Sequence, residues 1–330
     1  VSIPRAAIIG IAGTTLSAEE AALFRSHRPL GAILFRRNVE SPAQLAALCA
    51  ALREQLGDAT PILVDQEGGR VARLRPPHWA EHPPAARFEG RDAAAAEANA
   101  ALLGMACAAA GFDVVCAPVL DLRLPGAHDV IGDRAFSADP AEVARLGAAW
   151  TRGLQSAGCI PVLKHIPGHG RALVDSHEGL PRVEASEAEL ADDIAPFRAL
   201  AGMGAWAMTA HILYTAWDAA LPATLSPQVI GRVIRGAIGF DGVLVSDDLA
   251  MGAMAGLSPN LAEAAIGAGC DVVLHCTGVL AETAALLAAC PALSEAATRR
   301  LAAARAARDA ARHPLEAPLL AARRDRLLAA

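Results

Sequence analysis

Two segments of this chain concentrate side chains that can move protons or act as nucleophiles. The first runs Lys164-His165-Ile166-Pro167-Gly168-His169-Gly170 and continues to Asp175-Ser176-His177. His165 and His169 stand four apart, which on a helix would suggest a metal pair. Pro167, Gly168 and Gly170 argue against a helix there and point to a turned loop that approaches a substrate. Asp175 and His177 lie two residues apart in that loop. A carboxylate beside an imidazole fixes its tautomer and stabilises the imidazolium, and imidazole is the side chain suited to proton transfer near neutral pH. The second segment, Val243-Leu244-Val245-Ser246-Asp247-Asp248-Leu249, ends an apolar run on two adjacent carboxylates. Side chains alternate along a strand, so one of the two points inward, as nucleophile, general base or metal ligand. Periodicity leaves open which one, because Val243/Val245 and Leu244/Ser246 are both acceptable inner faces.

Short apolar, β-branched runs alternating with alanine-rich helical segments must position these groups. Eight strands are expected, at 7–11, 32–35, 61–66, 114–122, 161–166, 205–212, 242–248 and 271–276. Between them, Ser17 to Glu20 and Ser186 to Glu189 fit the capping box. Ser41-Pro42, Asp139-Pro140, Ser226-Pro227 and Ser258-Pro259 each set a cap before a proline at the first helical position. Strands alternating with helices pair in parallel through right-handed crossovers, which favours an α/β fold, a single closed (β/α)8 TIM barrel, over a doubly wound open sheet. No GxGxxG follows the first strand, which lowers the dinucleotide-binding form of the open sheet. Polar residues interrupt the strands at one end: Asp65, Asp121, Lys164-His165, His211 and Asp247-Asp248. In a barrel these ends converge on the face where the βα loops build active sites. Charges gathered there are costly unless they serve a ligand or one another.

The chain has 330 residues, 54% hydrophobic, 19% charged and 4% aromatic, with a formal net charge of −6. Its apolar fraction is mostly alanine, and the uncharged run 199–217 contains Gly202, Gly204, Thr209 and His211, so no membrane span is expected. The mild acidic balance argues against nucleic acid, and no obligate protein partner is evident. Seven cysteines without a CxxC pair read as buried, reduced thiols of a cytosolic protein. The apolar stretch 6–13 reads as a first strand rather than a signal peptide, so a mature cytoplasmic chain is expected, with Val1 in keeping with a trimmed start. The proline-rich stretch 75–84 reads as a loop, and the last segment as helices with Arg305, Arg308 and Arg312 on a solvated face. Residues 1–330 are expected to form one barrel domain with a C-terminal helical extension from about 279.

The motifs Asp65-Gln66-Glu67-Gly68-Gly69-Arg70-Val71, Ala117-Pro118-Val119-Leu120-Asp121, Gly132-Asp133-Arg134, Lys164 to Gly170, Asp175-Ser176-His177 and Ser246-Asp247-Asp248-Leu249 occur in this order over nearly the whole barrel. The ordered set resembles family 3 glycoside hydrolases, most closely the single-domain bacterial β-N-acetylglucosaminidases of peptidoglycan recycling. The resemblance implies a barrel that removes terminal β-linked N-acetylglucosamine with retention, without metal or other cofactor, from a small carbohydrate such as a GlcNAc-1,6-anhydro-MurNAc-peptide. It implies that Asp247 is the nucleophile, His177 the acid/base and Asp175 its partner. It further implies that Asp65, Arg73, Arg134, Lys164 and His165 hydrogen-bond the non-reducing sugar, while Arg70 and His169 support the loops. His211 sits at the expected strand end, its role not defined by the resemblance. One departure is Leu274-His275-Cys276-Thr277, where relatives often end in Cys-Asn; it bears on local loop contacts. Two other readings stay open: a metal-dependent hydrolase barrel using His165, His169, His177 and an Asp, and a sugar-binding barrel without catalysis.

Overall fold

The computed structural model describes residues 3–330; Val1 and Ser2, the first two of the expected 1–330 domain, lie outside the described residues. Eight parallel strands close into a barrel: β1 (Arg5–Gly10), β2 (Pro29–Leu34), β3 (Ile62–Val64), β4 (Val114–Val115), β5 (Ile160–Ile166), then β7 (Trp206–Thr209), β9 (Leu244–Asp248) and β10 (Val272–His275). A separate two-stranded pair, β6 (Arg182–Val183) and β8 (Leu213–Tyr214), stands outside it. Each barrel strand pairs with the next along the chain, and β10 closes on β1. The expected strands are thus present in number and order. The fourth, expected over 114–122, is regular only at its start. Pro118 has no N–H to give the ladder, yet the chain stays extended beside β5: Val162 N donates to Ala117 O at 3.0 Å and Leu120 N to Lys164 O at 2.7 Å.

The helices begin where side chains satisfy their first N–H groups. These are α1 (Ala18–Ser26), α2 (Pro42–Leu56), α3 (Ala93–Ala110), α4 (Pro140–Ser156) and α5 (Glu187–Leu200), capped in turn by Ser17, Ser41, Asp92, Asp139 and Ser186. Both capping boxes form. After β8 a π-wound helix covers Val229–Ala237, and Ser226 Oγ accepts from Val229 N. The next helix, α6 (Leu261–Ala268), is capped by Asn260 rather than by Ser258, whose hydroxyl instead accepts from Asn260 N. By length and composition α3 could cross a membrane, but it packs against α4 and against the last helix, and 56% of it is buried.

Three helices follow β10: α7 (Leu280–Ala289), α8 (Glu295–Ala311) and α9 (Ala317–Ala329). α7 packs beside α1 and β1, α8 against α4 and β5, and α9 on α3. Arg305 of α8 donates to Ala59 O, and Arg308 pairs with Asp309. Of this basic face, Arg305 is thus tied to the turn before β3 and Arg308 to its own helix. All seven cysteines are free and buried.

Candidate active site

At the carboxyl ends of the strands lies a compact charge network. Asp65 follows β3, and two residues on Glu67 turns to the same side. Lys164 of β5 reaches both, with Nζ 3.0 Å from Asp65 Oδ1 and 2.7 Å from Glu67 Oε1. Arg134 donates Nε and Nη2 to the two oxygens of Glu67, each at 2.8 Å. Arg73 Nη2 lies 3.2 Å from Asp65 Oδ2. Burial pushes both carboxyls up, but the cations outweigh it: Glu67 is lowered to about 2, and Asp65 is also held well below the usual carboxylate range. Burial also opposes the charge on Lys164 and Arg134, and the two carboxylates overcome it, raising both above their ordinary values. Three cations thus face two anions, and Arg73 Nε is buried with no partner. Such a cluster has donors to spare for a polyhydroxylated ligand.

Local sequence explains the alignment. Gly68 has φ +94°, and a Cβ there would lie 2.6 Å from Pro83 O, so the turn after Glu67 needs glycine. Gln66 Oε1 accepts from Arg73 N at 2.7 Å and Leu74 N at 3.0 Å, which folds the segment back. Arg70 Nη2 donates to the carbonyls of Asp129, Val130 and Ile131 and so carries the Arg134 loop. Beyond Arg134, Phe136 meets Trp150 of α4 edge-on at 5.7 Å.

Asp121, fully buried, organises the β5 end. One oxygen accepts from the backbone N–H groups of His165 and His169, at 3.0 and 2.7 Å; the other lies 2.6 Å from His165 Nδ1. Burial pushes its carboxyl up, but His165 and His169 bring it down to about 2. His165 Nδ1–H therefore donates to a carboxylate, which leaves Nε2 as the free ring nitrogen. His169 Nε2 is 3.3 Å from Ser176 Oγ, and burial with the nearby His165 lowers its ring to about 4, so it stands neutral.

Both carboxylates of β9 line the cavity, but their oxygens are spent differently. Asp248 Oδ1 accepts from Ala250 N and Cys276 N, turning the strand into its loop. Asp247 Oδ1 accepts only its neighbour's N–H, at 2.8 Å, and Oδ2 of each carboxylate is uncommitted. Burial pushes both up; at Asp247 it is outweighed by His165 and His211, so its carboxyl falls below the ordinary value while that of Asp248 rises above it. His211 does not face the cavity. Its Nε2 donates to Asp248 O at 3.0 Å and its Nδ1 accepts from Thr224 Oγ1 at 2.7 Å, bracing the backbone of the Asp pair.

His177 stands above this floor on the loop between β5 and α5, its side chain 66% exposed. Asp175 Oδ1 accepts from its backbone N at 2.9 Å and from its Nδ1 at 2.8 Å. Burial raises the Asp175 carboxyl, but these bonds from His177 outweigh it and hold it below the ordinary value. The loop rests on the next one: Gly252 N and Ala253 N donate to the carbonyls of His177 and Ser176.

The cavity, about 290 Å³, is lined by Asp65, Arg73, Arg134, Lys164, His165, His177 and Asp247, with Asp175 behind His177. The structure thus brings together every site residue named from the motifs. Glu67 and Asp121 are the polar residues that sequence reasoning left without a role, although both sit inside the quoted motifs; alternation, with Glu67 two positions after Asp65, was the available signal. Among the described residues, no three His, Cys, Asp or Glu side chains converge as metal ligands.

Residues 8–308 match the Glycosyl hydrolase family 3 N terminal domain. The chain belongs to glycosyl hydrolase family 3. A beta-hexosaminidase from Alkalilimnicola ehrlichii is 45% identical over 279 residues, 82% of this chain and 80% of the relative. Among solved structures, native NagZ from Neisseria gonorrhoeae superposes with TM-score 0.85 at 32% identity, over 99% of this chain and 98% of that one. A family 3 beta-N-acetylglucosaminidase from Paenibacillus sp. superposes with TM-score 0.83 at 35% identity, over 94% of this chain; this chain spans 62% of that longer protein. This family 3 member is a glycosidase, and its charged cavity lies at the barrel face where such barrels carry their chemistry.

Proposed function

We propose that this family 3 glycosidase is a retaining exo-β-N-acetylglucosaminidase in which Asp247 is the nucleophile and His177, oriented by Asp175, is the acid and base. One observation carries the reading: an anionic carboxylate with an uncommitted oxygen and a histidine whose Nδ1 is already taken by Asp175 line the same cavity. The similar proteins named beta-hexosaminidase and beta-N-acetylglucosaminidase support the choice of sugar. The cavity's 290 Å³ is at the small end of the roughly 300–1,000 Å³ of small-molecule sites, which suits one terminal ring.

Asp65, Arg73, Arg134, Lys164 and His165 hold the ring hydroxyls by charge-assisted hydrogen bonds, which orient the anomeric carbon towards Asp247. Asp247 Oδ2 forms a bond to that carbon as the C–O bond to the leaving group breaks, and His177 Nε2–H supplies the proton to the departing oxygen. The product is a glycosyl-aspartate ester and a neutral imidazole whose Nδ1–H stays on Asp175. Nε2 then takes a proton from water, whose oxygen displaces the aspartate and restores the β configuration. A neutral base avoids a second full negative charge beside the ester. No cofactor enters either step. The substrate is a GlcNAc-1,6-anhydro-MurNAc-peptide of the cytoplasm, and the chain works as one barrel unit with the helices from about 279 as its extension.

The test is turnover of an aryl β-N-acetylglucosaminide against an aryl β-glucoside, with the first-formed sugar read by NMR. Preference for the N-acetyl substrate and initial release of the β-anomer are expected. Initial α-anomer would mean inversion and overturn the assignment of Asp247.

A further inference from the structure

The loop that carries Asp175 and His177 leaves β5 at Ile166, pairs with β8 through β6 at Arg182–Val183, and reaches α5 at the Ser186 cap. Its tip stands in solvent, with Leu173 69% exposed. Its base is tightly built. Gly168 passes so close to α5 that a Cβ on it would lie 2.9 Å from Asp193 Cβ, and Gly170 abuts the backbone of Leu122. Tyr214 donates its hydroxyl to Gly168 O at 2.7 Å. Arg171 completes the base: Nε donates to Asp193 Oδ2 at 2.6 Å and Nη2 to the Glu189 carbonyl at 2.9 Å.

Asp193 is 1% exposed, and its second oxygen is buried with no partner. Burial pushes its carboxyl up to about 6 even with Arg171 in place. For holding a helix against a barrel, an apolar side chain would serve as well as a half-satisfied carboxylate, at less desolvation cost. The pair does something leucine cannot. It joins the outgoing limb of the loop to the helix on its returning side, across 22 residues. Such a cross-link removes conformations from the span it closes.

We propose that Arg171 and Asp193 are positioning residues for the acid/base: by pinning the loop base to α5 they set where the His177 arc hangs over the cavity, while the tip stays free to admit substrate. The inference rests on the reading of His177 as acid/base. Arg171 touches neither Asp175 nor His177, so its effect passes through the backbone alone.

The test compares kcat/KM on two aryl β-N-acetylglucosaminides, one with an activated dinitrophenol leaving group and one with unactivated phenol. Arg171→Ala, Arg171→Lys, Asp193→Asn and His177→Ala are each measured on both. A misplaced acid hurts only the substrate that needs its proton. Arg171→Ala and Asp193→Asn are therefore expected to lose about tenfold or more on the phenyl substrate and less than about twofold on the activated one. Arg171→Lys, which keeps a cation for Asp193, is expected to recover part of that loss. If Arg171→Ala and Asp193→Asn keep the wild-type ratio of the two constants while His177→Ala changes it, the positioning role is overturned and the acid/base reading stands. If His177→Ala also keeps the ratio, the acid/base reading falls and this inference with it. Should the buried Asp193→Asn fail to fold, the two Arg171 variants, at a partly exposed position, carry the same comparison.

Discussion

Replacing Glu67 by Gln probes the charge network while keeping its shape. Glu67 is 6% exposed and accepts from Arg134 twice and from Lys164 once. Its carboxyl sits at about 2 in the fold against an ordinary 4.5. Through proton linkage that difference is worth about 3 kcal/mol of stability at neutral pH. An independent estimate agrees, since removing one partner of a buried ion pair costs roughly 3–5 kcal/mol. The folded value is the depressed one, so the contribution is complete above the unfolded value and is lost as pH falls towards the folded value. The gap between wild type and Glu67→Gln in urea unfolding is therefore expected to be about 3 kcal/mol at pH 7 and about 2 kcal/mol by pH 3.5. A gap below about 1 kcal/mol at pH 7, or one that does not change with pH, would refute the claim that the Glu67 charge holds Lys164 and Arg134 in place.

Asp247→Ala and Asp248→Ala should part company. The first is expected to lower kcat/KM on the aryl substrate by about 10⁴-fold or more, with the smaller loss of stability, since only the Asp248 N–H loses its acceptor. The second leaves two N–H groups unpaired and should cost about 1–3 kcal/mol of stability. Equal activity losses in the two would contradict the distinction drawn from their oxygens. Asp175→Ala removes the carboxylate that fixes the His177 tautomer. Loss of about 10²-fold in kcat/KM on a poor leaving group, with little loss on a good one, is expected; equal loss on both would argue for a purely structural Asp175.

Much of the architecture was legible because barrel periodicity is local. Eight apolar runs, capped helices between them and polar residues at one end of five strands favour a closed barrel over an open doubly wound sheet, and the observed barrel follows that reading. The misreadings have local causes as well. The fourth strand stops early because Pro118 cannot donate, and α6 starts at Asn260 because that side chain, not Ser258, reaches the Glu263 N–H. The short β6–β8 pair was not foreseen, since two-residue strands carry no periodicity. The roles of Glu67 and Asp121 were hidden for another reason: a buried carboxylate is recognised by what surrounds it, and their partners lie far away in sequence.

The amino-acid sequence by itself determined the barrel, the face on which its polar groups gather and the ordered motifs that mark the family. It could not determine how two neighbouring aspartates differ in their bonds and their charge. Strand alternation allows either to face inward, whereas in the fold both line the cavity: two backbone N–H groups tie Asp248 Oδ1 and burial pushes its carboxyl up, while His165 and His211 hold the Asp247 carboxyl below its ordinary value. Nor could it show that Arg171 and Asp193 meet, because a loop closes only when the strand before it and the helix after it are packed together. Those two decisions depend on contacts between elements, and only the tertiary structure supplies them.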